Sequence, residues 1–352
     1  MNSKKLGIGI VGCGNISDTH ADAISALDSC DLVAACTRNP ERLDSFCDKY
    51  SITPYPSYDE FLTDPGLDIV TICTPSGTHL DYGKKAANAG KHVIVEKPIE
   101  VTLERGKKLV ETCRKNKVKL AVIYQNRFID SVVKMKKILD EGGIGKVFMA
   151  SAAVKWFRDQ NYYNKSGWRG TFSLDGGGAV INQSIHTIDL LQWMLGDMES
   201  IFAYTTNSTH DGIEAEDNSV AAMQFSNGPI GVFQASTSIV PPQERTIEIN
   251  GVSGTLLLEG NVLSLKTDLK EIDSKKAQSK SAGASDPLDG LSYKDHFKQY
   301  EQIINAITTN GNPVVSGEES LKSLAVVEAI YQSAKKRKPV SIDSILPKSL
   351  KI

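Results

Sequence analysis

The 352-residue chain has no apolar run approaching the roughly 18 residues that a membrane-spanning helix requires, so no membrane partner is expected. It is sparing with histidine, six in all, and neither these nor the carboxylates fall at metal-ligand spacing, so no metal is expected. The six cysteines, Cys13, Cys30, Cys36, Cys47, Cys73 and Cys113, lie in the first third without a Cys-x-x-Cys pair, and read as reduced core thiols. A formal charge of −2 gives no basic field, which argues against nucleic acid as a partner. Internal repeats are absent, and Met1 to Lys5 lead into a short apolar strand with no long secretory core, so a cytoplasmic protein is expected.

What is present is enough chain for two domains at about 100 to 200 residues each. Leu6 to Val11 is a short apolar run followed by Gly12-Cys13-Gly14-Asn15-Ile16-Ser17 and a helical segment to about Leu27. Strand, glycine turn and helix in that order suit a dinucleotide: the first glycine makes the turn, the second admits the pyrophosphate, and a small third residue, here Ser17, packs helix on strand. Leu32–Cys36, Ile69–Cys73, His92–Val95 and Lys119–Ile123 are further buried-strand runs separated by helical segments, which predicts a doubly wound parallel sheet. The expected cofactor residues from this half are Gly12, Gly14, Asn15 and Ile16 of the turn, then Thr37, Arg38 and Arg42. An NAD-specific site usually carries an acidic residue at the end of the second strand, whereas Thr37-Arg38 offers a hydroxyl and a guanidinium, so NAD(P) is expected with NADP(H) favoured. Thr74, Pro75, Ser76 and His79 form a loop at the next strand end, and Glu96-Lys97-Pro98 follows another. Proline keeps Lys97 out of the helical region, which makes a restrained lysine beside a cleft a catalytic candidate.

The stretch Asp175 to Gly196 places polar groups in an otherwise apolar helix. Ile181, Ile185, Ile188 and Leu195 recur at helical spacing and define a core stripe. Asn182 and His186 are four apart and share a face, and Asp189, three further on, is placed to reach the imidazole. Three glycines precede the helix and Gly196 follows as its terminator.

In the second half, a helix is expected over about Asp130 to Glu141, a long strand over Lys146 to Trp156, and an aperiodic aromatic and basic loop from Arg158 to Thr171. Lys155, Arg158 and Arg169 set three cations among Trp156, Phe157, Tyr162, Tyr163 and Trp168, which favours a stacked or anionic sugar over a neutral polyol. Beta-rich runs at Ile201–Thr206, Val220–Phe225, Ile230–Ala235, Thr246–Asn250 and Gly254–Leu258, with turns at Asn227-Gly228 and Asn250-Gly251, predict an antiparallel sheet. No covering layer follows, so self-association through the outer face is expected, as homodimer or homotetramer. Arg245 reads as a surface salt bridge, with a substrate contact as the alternative. Asp268 to Gly290 reads as a loop, and helices are expected at Tyr293–Thr309 and Glu318–Lys336.

Together the Gly-x-Gly turn, the Thr-Pro-Ser-Gly-Thr-His loop, Glu-Lys-Pro, and the Gly-Gly-Gly helix carrying His186 resemble the Gfo/Idh/MocA oxidoreductases over nearly the whole chain. The resemblance implies α/β architecture: an N-terminal Rossmann domain (1–125) and a C-terminal α/β domain (126–352) with an open, mainly antiparallel sheet that often forms the subunit interface. It implies Lys97 and His186 as the catalytic pair, and cofactor contacts that extend to Glu96, Lys97 and Gln125. Many members carry Asp where this chain has Asn182, which holds a substrate group but exchanges no proton. That asparagine, with Tyr124-Gln125-Asn126-Arg127 and the aromatic loop, resembles the subgroup that oxidises UDP-N-acetylglucosaminuronate at its ring carbon three hydroxyl. The implied substrate residues are Asn126, Lys155, Arg158, Arg169 and Asn182. The expected activity is hydride transfer between a secondary sugar hydroxyl and nicotinamide; an inositol or polyol dehydrogenase, a ketosugar reductase and a non-catalytic cofactor sensor stand as alternatives.

Overall fold

The computed structural model describes residues 5–267, 271–273 and 292–346. Two compact units emerge, one of residues 1–125 with 292–321, the other of 126–291 with 322–352. The first holds six strands, β1 (Leu6–Val11), β2 (Cys30–Cys36), β3 (Thr53–Tyr55), β4 (Ile69–Ile72), β5 (His92–Val95) and β6 (Leu120–Val122), in the order β3-β2-β1-β4-β5-β6. Every pair is parallel. Helices α1 (Ser17–Ser25), α2 (Pro40–Tyr50), α3 (Tyr58–Phe61), α4 (His79–Asn88) and α5 (Leu103–Lys115) make the crossovers. A sheet covered on both faces needs apolar side chains on both, and Ile8, Ile10, Ile69, Val70, Ile72, Ile94 and Val95 are buried accordingly. β3, which the apolar pattern does not reveal, is a three-residue edge strand containing Pro54, where a missing amide hydrogen is tolerated. The order reverses between β1 and β4, so the C-terminal ends of β1, β2, β4 and β5 deliver Gly12, Thr37, Thr74 and Glu96 to one edge of the sheet.

The second unit contains α6 (Asp130–Asp140), β7 (Val147–Lys155), α7 (Gln160–Asn164), α8 (Ser184–Leu195), β8 (Met198–Thr206), β9 (Asn218–Phe225), β10 (Ile230–Ser236), β11 (Thr246–Gly251), β12 (Gly254–Glu259), β13 (Val262–Lys266), β14 (Glu271–Asp273) and β15 (Val340–Ser341). Its nine strands run β14-β13-β12-β11-β7-β10-β9-β8-β15, antiparallel except for the β7–β10 pair. Side chains alternate: Ala150, Ala152, Val154, Phe233, Ala221, Met223 and Phe225 are buried on the face that meets α8, and Met149, Ile230, Val232, Val220 and Tyr204 stand exposed on the other. The β11–β12 hairpin turns at Val252-Ser253, not at Asn250-Gly251. Gly251 is instead paired with Gly254, and its bareness lets Ile144 O approach to 2.2 Å of where a Cβ would sit. Arg245 is buried and donates to Gly260 O and Asn261 Oδ1, and burial pushes its guanidinium down to about 10, so it is neither a surface ion pair nor free to reach a ligand. Within the expected 268–290 loop, Glu271–Asp273 pairs with β13; the other residues of that loop lie outside the described ones.

Two helices close the chain, α9 (Tyr293–Thr308) and α10 (Gly317–Lys336). Residues 292–321, which the sequence reading assigns to the second domain, belong to the first unit: Tyr300, Ile303 and Ile304 of α9 share a core with Ile24 and Leu27 after α1's start. The amphipathic face of α9 needed a partner, and the sequence did not say which. No described helix is long and apolar enough to cross a membrane.

Candidate functional site

At the glycine turn, Gly12 has φ 96°, and a Cβ there would lie 2.8 Å from Cys73 O, so only glycine serves. Gly14 is different: a Cβ would meet nothing within 4 Å, and its bareness leaves room beside the turn. Ser17 is buried and donates its hydroxyl to Gly14 O, which ties α1 to the turn. No side chain caps α1 at Ile16, which leaves this helix N-terminus without a side-chain acceptor, as at helix termini that bind anions. Thr37 is half-buried, while Arg38 and Arg42 are exposed beyond β2. Asn39, between them, is engaged as the cap of α2 through the Arg42 amide. Gln125 Oε1 is buried without a hydrogen-bond partner, an acceptor awaiting a donor. The turn's open space, the uncapped helix and this orphaned acceptor fit a dinucleotide.

In the Thr74 loop, Thr74 Oγ1 and Thr78 Oγ1 are 2.8 Å apart and Ser76 is buried. His79 corrects an expectation. It is fully buried, with Nδ1 2.9 Å from Pro98 O and Nε2 3.0 Å from Thr74 O, so its ring lies between two loops with both nitrogens facing carbonyls and not the open edge of the sheet. Glu96 also turns inward: Oε1 lies 2.9 Å from His20 Nε2, and Oε2 accepts the Lys97 amide at 3.0 Å. Burial opposes its charge, yet His20, His296 and Lys97 together hold its carboxyl at about 2. Lys97 itself is half-buried. The thiols behind this edge are inert: burial lifts Cys13 to about 12 and Cys36 and Cys47 to about 11.

In the second unit, residues Ala179–Gln183 form a π-helical turn that runs into α8. From Asp175 to Leu195 only Asn182, His186 and Trp193 are not buried, so the amide and the imidazole form a polar opening in a closed helix. The turn is pinned from behind. Glu216 Oε1 accepts the Val180 amide at 2.8 Å and the Tyr331 hydroxyl at 3.1 Å, and a Cβ on Gly178 would lie 1.9 Å from Glu216 O. Asp189 does not reach His186. Its carboxylate accepts both Nε and Nη2 of Arg127, at 2.7 and 2.6 Å, plus the Ser323 hydroxyl, because a planar guanidinium offers it a two-pronged match that an imidazole cannot. Sequence reasoning missed this pair: Arg127 shows no pattern linking it to a residue 62 positions away.

Asn182 donates its Nδ2 to Asp175 and accepts at Oδ1 from Gln183 Nε2. Gln183 in turn donates to Tyr162 Oη at 2.9 Å and accepts from Arg158 Nη2 at 2.8 Å. Arg158, expected on substrate, is buried and braces this chain, with burial lowering its guanidinium's pKa. Arg169 is half-buried, 4.0 Å over the Tyr162 ring and 5.5 Å from that of Trp168. Its Nη1 donates to Tyr162 O at 3.2 Å, while its Nε and, in the same segment, Trp156 Nε1 are buried donors without partners. Lys155 and Asn126 are half-buried. Gln183 and Asp175 were passed over as functional; only the π turn turns Gln183 toward Arg158.

Comparison with known proteins agrees with both halves. Residues 6–124 match the oxidoreductase family's NAD-binding Rossmann fold and residues 136–342 its C-terminal alpha/beta domain, under the names GFO_IDH_MocA and GFO_IDH_MocA_C. A solved structure of the WlbA dehydrogenase from Bordetella pertussis, in complex with NADH and UDP-GlcNAcA, is 33% identical with a TM-score of 0.86, covering 97% of this chain and 99% of that one. Among curated relatives, an uncharacterized oxidoreductase, YrbE, of Bacillus subtilis is 26% identical over 97% of this chain and 98% of its own. The myo-inositol 2-dehydrogenase of Thermotoga maritima is 24% identical over 96% and 99%. With a glycine turn fitted to a dinucleotide, a polar opening in a buried helix, and matches across both halves, the chain belongs to the Gfo/Idh/MocA family of NAD-binding oxidoreductases.

Proposed function

We propose that the protein oxidises a secondary hydroxyl of an anionic, nucleotide-linked amino sugar or uronate. The observation that carries this reading is Arg169, a cation stacked on Tyr162 whose Nη1 donates to the Tyr162 carbonyl and whose Nε is a buried donor without a partner, as is Trp156 Nε1 in the same aromatic and basic segment. A charge met only by a backbone carbonyl suits a carboxylate or phosphate; a neutral polyol leaves it unmatched. Lys155 and Asn126 complete the substrate set. The resemblance to a dehydrogenase solved with UDP-GlcNAcA supports the same class.

In this mechanism Gly12, Gly14, Asn15 and Ile16 of the turn, Thr37, Arg38 and Arg42 after β2, and Thr74, Pro75, Ser76 and Gln125 would hold NAD(P), which would supply the hydride acceptor. His186 takes the hydroxyl proton, and Lys97 sets a positive charge against the developing alkoxide. Asn182, its amide oriented by Asp175 and Gln183, holds a neighbouring sugar group. No carboxylate stands at 37–39 to repel a 2′-phosphate, which favours NADP(H) alongside NAD(H). Self-association through the exposed sheet face completes the reading.

Calorimetry tests the substrate class. UDP-N-acetylglucosaminuronate is expected to bind more tightly than UDP-N-acetylglucosamine, which keeps the anionic diphosphate but lacks the sugar carboxylate, and Arg169→Met to remove that preference by about tenfold or more, the worth of a charge-assisted contact. Equal affinities for the two sugars, unaltered in the variant, would discard the carboxylate contact at Arg169, and binding of neither would discard the nucleotide-sugar reading in favour of a polyol.

A further inference from the structure

The first unit's core contains polar residues that neither the cofactor nor the substrate reading uses. His20, Thr71, Tyr300 and His296 are all fully buried, on α1, β4 and α9. Tyr300 Oη lies 3.0 Å from Thr71 Oγ1 and 2.8 Å from His20 Nδ1, while His20 Nε2 lies 2.9 Å from Glu96 Oε1. A carboxylate only accepts, so Nε2 carries a hydrogen toward Glu96, and the Tyr300 hydroxyl bridges Nδ1 of the same ring to the Thr71 hydroxyl. The Lys97 amide meets the same carboxylate from the other side. His296, held neutral by burial that lowers it to about 3, packs edge-on against His20 at 5.0 Å and keeps that ring in place.

His20, Glu96 and His296 offer ligand atoms within 4.8 Å of one another. The 2.9 Å approach of His20 to Glu96 is that of a donor and an acceptor sharing a hydrogen, closer than two ligands around one zinc at about 2.0 Å each usually stand. The cluster is therefore read as a hydrogen-bond chain.

The next peptide is gripped independently. His79, at the start of α4, meets Pro98 O with Nδ1 and Thr74 O with Nε2. Lys97 thus has its amide fixed through Glu96 and His20, and the carbonyl one residue later fixed through His79. We propose that His20 and His79 are a pair of positioning residues that hold the Lys97 backbone from its two sides, with Glu96 as the link on one side. This rests on the reading of Lys97 as a catalytic group. It explains why buried histidines accompany a lysine at the sheet edge: burying polar groups is unfavourable unless they find partners, and His20 and His79 each find one on the residues flanking Lys97.

The test needs no knowledge of the substrate. Amide hydrogen exchange is followed in the full chain over peptides spanning 93–103, with β1 and α5 peptides as internal reference, for His20→Gln, Glu96→Gln and His79→Asn. Glu96→Gln turns an amide donor toward the Lys97 N–H or His20, and breaks one link while keeping the shape. The expected result is exchange at the Lys97 amide faster by about tenfold or more in each variant, with the reference peptides unmoved. Unchanged exchange at Lys97, or equal acceleration throughout the unit, would overturn the proposal and leave these residues as ordinary core. On any substrate the protein turns over, His20→Gln lowers kcat in the parent but has under about threefold effect in a Lys97→Ala background, as non-additivity of linked residues requires. An equal loss in both backgrounds would also overturn it. If no substrate is turned over, the catalytic reading of Lys97 fails, and the exchange result still decides the positioning claim.

Discussion

Asn182 stands where many relatives are read to carry aspartate, and its surroundings give a physical reason for the amide. Asp175 already lies at hydrogen-bond distance, so a carboxylate at 182 would face another and one of the two would have to keep its proton. Asn182→Asp is therefore expected to make unfolding more steeply pH-dependent than in the parent. A carboxyl whose folded pKa is raised is stabilising while protonated, and that stability is lost as pH rises from the ordinary carboxylate value through the raised one. Thermal midpoints that track the parent at every pH from 4 to 8 would refute the pairing. Glu216 obeys the same rule in the native chain. Burial raises it from 4.5 to about 7, and the amide and hydroxyl it accepts only partly offset this. Native stability is thus expected to fall as pH rises between those values, and Glu216→Gln, which keeps an acceptor for Val180 N–H but carries no charge, to flatten the decline. Urea midpoints measured across that window check this, and a steeper decline in the variant would contradict it.

For the elements, the apolar spacing of Ile185, Ile188 and Leu195 was enough to place α8, each buried as its period requires, while Ile181 of the same stripe is buried in the π turn before it. The parallel strands were legible for a related reason: covered on both faces, they are continuous apolar runs. What stayed hidden depends on partners distant in sequence. Gly-Gly-Gly announced a tight approach, but only folding shows that Glu216 O and Tyr331 Oη make it, and that the next five residues widen into a π turn. A methyl group at Gly178 has no room, so Gly178→Ala is expected to destabilise by about 1–3 kcal/mol as an overpacked site, with loss of activity exceeding loss of fold, because the turn carries Asn182. Denaturant unfolding beside kcat measures both, and a stable, fully active variant would show the turn to be compliant. The buried Arg127–Asp189 pair fixes α8 from below. Asp189→Asn, which strands a buried guanidinium, is expected to cost about 3–5 kcal/mol, far more than a surface pair would. A loss under about 1 kcal/mol would mean that water reaches the pair.

At the scale of the whole molecule, composition and charge removed membranes and polyanions from consideration, and the ordered motifs led to the family. The assignment of residues 292–321 to the first unit was not legible, since α9 offers an apolar face that would suit either. The candidate site was half legible: residue types at the strand ends and on α8 were readable, whereas the inward turn of His79, Glu96 and Arg158 was not, because hydrogen-bond partners leave no periodic trace. The open sheet face had been anticipated from missing cover, and Met149, Ile230, Val232, Val220 and Tyr204 do stand exposed across adjacent strands. An apolar patch of this kind calls for a partner, and a second copy of the chain is the one proposed. Sedimentation of the purified protein is expected to give a dimer or tetramer, and Val232→Glu to shift it toward monomer; a monomeric parent would refute self-association. The central claim is oxidation of an anionic sugar by way of Lys97 and His186. It is tested most directly by following nicotinamide reduction with NAD or NADP and either UDP-N-acetylglucosaminuronate or myo-inositol. The account predicts turnover of the nucleotide sugar in preference to the inositol, reduced roughly 100-fold to 10,000-fold by Lys97→Ala and by His186→Ala. Turnover of the inositol alone, or turnover indifferent to both substitutions, would contradict it.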